Sequence, residues 1–274
     1  MGGGHGALNK NVKEIILNRK LDWTVIEPIG AADYHPDILK INQIFDGSTN
    51  LGRQYDAVFH SHLFEHLYEP LETLKNIFDH LAESGVMCFS VPNMESMLKS
   101  GIVSSINFEH TIYLPESLIE ELLKSSGFSI LKKKYFKEDH SIFYSCQKIN
   151  TKRNFSYDQY AENKARVIGF FKLKDHEISD LNSILNNLDD NVWVFGAHIF
   201  SQYLLSNGLD TKPIVGILDN DPQKQGKRLY GTSMNVLSPK VTQDTSGFVI
   251  LRAGAYDDEI KQQLKNLNKD TVII

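Results

Sequence analysis

From Leu21 onward, short apolar runs rich in β-branched and aromatic residues alternate with stretches whose apolar residues recur every three or four positions. That alternation is the pattern of a parallel sheet covered by helices. It predicts strands at Trp23 to Ile26, Ala57 to His60, Val86 to Val91, Ser129 to Tyr135 and Ser141 to Gln147, and helices at Leu8 to Arg19, Leu71 to Leu81 and Pro115 to Ser125. Gly127 stands where a C-cap is expected for the last helix. From Thr151 to Asp190 the sequence is polar and helix-prone, holds Tyr157, Tyr160, Phe170 and Phe171, and reads as a helical connector. A second α/β unit then opens with a strand at Val192 to Phe195. A helix near Ser201 to Ser206 and strands at Ile214 to Leu218 and Phe248 to Leu251 follow. This unit is too short for a complete dinucleotide-binding domain. The expected division is residues 1–150, 151–190 and 191–274.

Composition excludes several function classes. A net charge of -5 and scattered basic residues leave no electrostatic footprint for nucleic acid. The one basic run, Lys132-Lys133-Lys134, reads as a solvated strand edge. Both cysteines, Cys88 and Cys146, lie in predicted strands and are expected as small buried hydrophobes, which suits a reducing cytoplasm. No apolar run approaches a membrane span, and the N-terminus lacks the charged-then-apolar layout of a signal peptide, so a cytoplasmic protein without a membrane partner is expected.

Candidate chemistry begins at the N-terminus. Gly2, Gly4 and Gly6 fall on alternate positions ahead of a helical segment, where missing Cβ atoms let the backbone approach a ligand and aim N–H groups at it. The bland alternative for such a cluster is a tail. Glu27 ends the apolar run Trp23 to Ile26 at the distance where a βαβ nucleotide site places the acid that accepts ribose hydroxyls. Pro28 then ends the strand.

The stretch Gly2-Gly3-Gly4-His5-Gly6 resembles the first motif of class I methyltransferases, and Tyr55 to His66 resembles their fourth. Gly85 to Asn93 and Glu109 to Phe128 extend the resemblance over about the first 150 residues. It implies a Rossmann-like domain using S-adenosyl-L-methionine, with Gly2, Gly4, Gly6, Glu27, Pro28, Phe45, Asp46, His60 and Ser61 on the cofactor side. Asp46 is expected to meet the adenine amino group with Phe45 packing on the ring; a solvated loop aspartate is the alternative. The family pattern also has an acidic residue two positions before the first glycine, at the end of a central strand. This chain begins at Met1 with neither, so a start further upstream is expected, and the strands beside the missing one should show unpaired edges.

Residues Val192 to Pro239, with the phrase Asp219-Asn220-Asp221-Pro222 followed by Tyr230-Gly231-Thr232, resemble the C-terminal domain of sugar C-methyltransferases. The fold class expected is therefore α/β: a Rossmann-like methyltransferase domain, a helical connector and a second, smaller Rossmann-like domain. The resemblance implies a small polar acceptor, such as a nucleotide-linked sugar or other precursor of a surface polysaccharide. The family's cysteine-paired zinc module is absent from this sequence, and its tyrosine three residues before the key histidine is Asn107 here. Both departures bear on the acceptor and on the atom methylated.

Methyl transfer from a sulfonium needs in-line alignment, with a base where the nucleophile must lose a proton. The resemblance implies His110 as that base, beside Glu109, with His62 next in line at the end of its strand. A structural histidine ahead of the helix at Pro115 is the alternative. His66 lies four residues beyond His62, on the same helix face, but aspartate or cysteine partners are not evident and no metal is expected. Two other readings remain: an inactive methyltransferase-like subunit, and an NAD-binding oxidoreductase, since a glycine turn with a distal acid serves both classes.

Overall fold

The computed structural model describes Leu8, Asn11, Val12, Ile15 and residues 21–28, 38–151 and 153–274. Gly2, Gly4 and Gly6 lie outside the described residues, as does most of the expected helix at Leu8 to Arg19. Its four described residues are Leu8, Asn11, Val12 and Ile15, all helical. The chain forms two compact units: residues to 95 with 108–159, and residues 96–107 with 160–274.

In the first unit, β1 (Trp23–Ile26) pairs in parallel with β2 (Ile38–Ile41), and β3 (Tyr55–Ser61) pairs in parallel with β4 (Leu81–Pro92). Helix α1 (Pro70–His80) links the latter two. Pro70 suits its first turn, where the missing N–H would be unbonded in any case. Apolar residues Leu74, Ile77 and Phe78 recur on one face, and all three are buried. A short helix α2 (Met94–Lys99) leaves β4, and α3 (Glu116–Ser125) buries Ile119, Leu122 and Leu123. Gly127 follows α3 at φ 87°, and a Cβ there would lie 2.7 Å from the Phe78 ring, so both the cap and the packing require glycine. Strands β5 (Phe128–Phe136) and β6 (Ser141–Lys148) complete an order β3-β4-β6-β5, with β6 antiparallel to both neighbours.

The five strands foreseen in this unit are present, several of them longer than foreseen. β2 was not foreseen: Ile38-Leu39-Lys40-Ile41 is short, and its extended form is held by pairing with β1 fifteen residues earlier. Among the described residues, β1 has no strand beyond β2 and β3 none beyond β4. Trp23 of β1 stacks on Phe59 of β3, ring centroids 5.8 Å apart.

The second unit is a parallel sheet in the order β11-β10-β7-β8-β9. After the 26-residue helix α4 (Tyr160–Leu185) come β7 (Val192–Phe195), α5 (Ile199–Ser206), β8 (Ile214–Leu218), β9 (Val236–Leu237), β10 (Phe248–Leu251), α6 (Asp257–Leu267) and β11 (Val272–Ile273). The three strands foreseen here coincide with β7, β8 and β10, and all carry near-continuous apolar sequence because both faces of a parallel sheet are covered. β9 and β11, two residues each, and α6 were not foreseen. The helix read as a connector packs Ile178, Leu181 and Leu185 into the core of this sheet. Met97, Leu98, Ile102 and Val103 likewise pack with Phe170 and Phe200.

Two smaller expectations resolve differently. Cys146 is fully buried, its thiol pushed up to about 12 by burial, and it forms no disulfide with Cys88. β5 is a sheet edge as expected, but Lys133 is not simply solvated: its ammonium bonds Glu116 and Glu120 on α3, whose carboxylates hold it strongly charged.

Candidate active site

Among the described residues of the first unit, a group of polar side chains gathers just beyond the C-terminal end of β3. Ser61 closes the strand, and its hydroxyl meets that of Ser90 on β4 at 2.7 Å. The next residue, His62, takes φ 48°, a left-handed conformation costly for a residue with a Cβ and characteristic of functional turns. Its N–H donates to the Ser90 carbonyl at 2.9 Å, which anchors the turn to β4. A single 3-10 turn, Phe64–His66, then brings Glu65 back beneath the histidine.

Glu65 is the residue that sequence reasoning passed over. It stands between the two histidines it serves and is only 1% exposed. Oε1 lies 3.2 Å from His62 Nδ1 and 3.9 Å from His66 Nε2, while Oε2 is buried without a hydrogen-bond partner. The Glu65 backbone carbonyl accepts from the Thr111 N–H at 2.8 Å, tying this turn to the segment that carries Glu109 and His110. His66 Nδ1 is 2.9 Å from the Glu109 carbonyl, and the His66 and His110 rings meet edge to face at 5.2 Å. Glu65, His66 and His110 each offer one ligand atom within 4.8 Å of the others. On the far side, His62 Nε2 meets the Ser141 hydroxyl at 3.1 Å, and His140 Nδ1 meets the same hydroxyl at 2.6 Å.

The structure thus brings His62, Glu109 and His110 to one locality, with Glu65 and His66 between them. The other named residues lie elsewhere. Glu27 directly follows β1, its N–H donating to the Ile41 carbonyl at 3.1 Å, with Pro28 exposed after it. Asp46 is exposed, and its carboxylate accepts from the Ser48 hydroxyl and N–H, which hold it below the usual carboxylate range. Phe45 is buried in the core, its ring meeting that of His80 edge to face, so the protein itself already covers that ring. His60 is fully buried between Phe64 at 4.5 Å and Phe89 at 4.9 Å, and neither ring nitrogen has a hydrogen-bond partner. Burial holds its pKa well below the usual histidine value, so the side chain behaves as a neutral aromatic.

The second unit holds a cavity of about 500 Å³ that no sequence motif announced. Lys174, nine-tenths buried or more, and Arg252 both bond Glu177 at its wall, with Phe200 and Gly254 also lining it. The turn after β7 is closed instead. Gly196 takes φ 103° with the His198 ring folded against it, and the Ala197 N–H donates to Asp219 Oδ2 at 2.7 Å. Asp219 Oδ1 accepts from the Asp221 N–H at 2.8 Å, and Lys224 reaches Oδ2 at 3.2 Å.

Two family models match the chain, one after the other. Residues 1–133 match the methyltransferase domain family, and residues 147–273 match the C-methyltransferase C-terminal domain family. No curated protein matches the sequence. Among solved structures, a pericyclic reaction enzyme aligns at 13% identity and TM-score 0.46, over 55% of this chain and 42% of its own. The chain therefore spans less than half the length of that enzyme. A putative S-adenosylmethionine-dependent methyltransferase from Listeria monocytogenes aligns at 13% identity and TM-score 0.44, over 54% of this chain and 88% of its own. One from Mesorhizobium loti does so at 12% and 0.45, over the same shares. A methyltransferase domain and a C-methyltransferase C-terminal domain are thus matched in succession, each over a little less than half of the chain.

Proposed function

We propose that the protein transfers a methyl group from S-adenosyl-L-methionine to a small polar acceptor, most specifically a nucleotide-linked sugar or another precursor of a surface polysaccharide. The observation that carries this reading is the match of both halves of the chain to methyltransferase families, the second being a C-methyltransferase domain. Residues 1–150 act as the cofactor-binding domain and residues 191–274 as the accessory domain, with residues 151–190 between them. The protein works in the cytoplasm, where its cofactor is made available, with no nucleic acid or membrane partner.

The described residues fit the cofactor at one point in particular. Glu27 places a carboxylate directly after a parallel strand, the position from which both ribose hydroxyls can be accepted. Gly2, Gly4 and Gly6 would cradle the methionine part, Pro28 would border the ribose, and Asp46 is exposed for an adenine amino group. His60 and Ser61 contribute backbone at the end of β3; the His60 ring has no part, being enclosed by Phe64 and Phe89. When bound, S-adenosyl-L-methionine supplies an electrophilic methyl group on sulfur. The chain's own contribution on the acceptor side is alignment and proton removal: His110 takes the acceptor's proton, Glu109 borders it, and His62 is the reserve base.

A second reading, a methyltransferase-like subunit without activity, has one observation in its favour: among the described residues, β1 pairs only with β2 and β3 only with β4. Calorimetric titration with S-adenosyl-L-methionine separates the two. Binding, followed by mass-spectrometric detection of one added methyl group on a nucleotide sugar from a panel, supports the enzyme. No heat and no thermal shift at millimolar cofactor supports the subunit.

A further inference from the structure

We infer that Glu65, His66 and His110, assisted by His62, form a binding site for a divalent transition cation of the zinc class. The argument starts from a proton count. The Glu109 carbonyl can only accept, so His66 Nδ1, 2.9 Å away, must be the donor. In the neutral ring, Nε2 then carries a lone pair, and that lone pair faces the Glu65 carboxylate at 3.9 Å. Two acceptors turned toward each other need a cation or a proton between them.

Glu65 makes the need acute. Its carboxylate is 1% exposed, and Oε2 has no hydrogen-bond partner, an unfavourable state for a charged oxygen unless a positive charge neutralises it. The ligand atoms of Glu65, His66 and His110 already lie within 4.8 Å of one another, so small side-chain rotations bring them onto one ion. Two imidazoles and a carboxylate are a ligand set that zinc accepts with one position left for water or a substrate oxygen. The bond from His66 Nδ1 to a backbone carbonyl is the outer-shell partner that fixes a metal-binding histidine in the required tautomer. His62, with Nδ1 3.2 Å from Glu65 Oε1 and Nε2 on Ser141, holds the carboxylate from the other side. Its left-handed φ is the backbone cost of placing it there.

The inference rests on the proposed function only in taking this locality as the acceptor side. It revises one role: an ion bound here would occupy the His110 lone pair, so His110 would hold the ion, and the acceptor's proton, acidified by the metal, would pass to solvent water.

The test uses untagged full-length protein, stripped with EDTA and titrated calorimetrically with zinc chloride, beside His66→Ala and His110→Ala. The expected result is one zinc per chain in the wild type and an affinity lower by roughly 100-fold or more in each variant. Absence of stoichiometric zinc in the wild type overturns the site. Equal affinity in wild type and both variants also overturns it, by placing the ion elsewhere. Should either variant melt early without metal, histidine ring NMR signals of the wild type decide. Zinc-induced shifts confined to His62, His66 and His110 support the site, and shifts only at other histidines overturn it. The outcomes separate from those for methyl transfer. Zinc binding without turnover keeps the site and removes its role in the reaction, whereas turnover without zinc binding removes the site and returns His110 to the base.

Discussion

The turn after β3 and the turn after β7 begin from similar ingredients: a strand paired in parallel, a buried carboxylate and a histidine in the loop. After β7 the carboxylate is that of Asp219, which faces the turn from the end of β8, and it is fully occupied. Burial pushes it up, but the N–H groups of Asp221 and Ala197 and the Lys224 ammonium outweigh that and hold it below its usual range. After β3 the carboxylate of Glu65 has only imidazoles beside Oε1 and nothing on Oε2. A strand end can therefore look like a ligand site and be sealed by its own side chains, or be left incomplete. Only the incomplete one has polar capacity to offer a ligand.

The largest expected effect comes from His110→Ala. Turnover should fall by about 100-fold or more, with S-adenosyl-L-methionine affinity and melting temperature near wild type. Single-turnover methylation assays and calorimetry check this, and equal turnover across pH would remove His110 from the chemistry. Next, Glu27→Ala should weaken the cofactor by tenfold or more, since hydrogen bonds to a charged group contribute about 1.5 to 3 kcal/mol. An unchanged dissociation constant takes Glu27 out of the site.

Asp219→Ala probes the sealed turn and should behave oppositely. We expect a loss of about 1.5 to 3 kcal/mol in stability with cofactor affinity unaltered. Because the folded-state pKa of Asp219 is lowered, the stabilisation is present above the unfolded value near 4 and is lost as pH falls through the folded one. Denaturant melts at pH 7 and pH 3 should show the gap between wild type and variant closing in acid. If the variant instead weakens cofactor binding without losing stability, the comparison between the two turns fails.

His60→Phe should have the smallest effect. The buried ring is held neutral, so the folded state binds fewer protons than the unfolded one, and wild-type stability declines as pH drops below about 6.5. The phenylalanine variant should lose that decline while matching wild-type stability to within about 1 kcal/mol at pH 8. Parallel declines in both proteins would show that His60 does not titrate against folding.

Much of the fold could be read directly from the chain, because apolar period is a local signal that burial converts into strands and helices. Trp23–Ile26, Val192–Phe195, Ile214–Leu218 and Phe248–Leu251 are read to the residue, and Gly127 marks its helix end through the backbone conformation that only glycine takes cheaply. β9 and β11 could not be read this way, since two residues carry no period, and neither could β2, whose apolar run is interrupted by Lys40; all three are extended beside a partner strand. The motifs likewise named His62, Glu109 and His110 as residue types suited to methyl transfer. They did not show that Glu65 lies buried under two histidines with one oxygen unsatisfied, or that the His60 and Phe45 rings are enclosed in the core. Those outcomes depend on which residues distant in sequence come into contact, as Glu65 does with Thr111 46 positions on, and on how completely water is excluded from between them. Both are properties of packing, which no local pattern encodes.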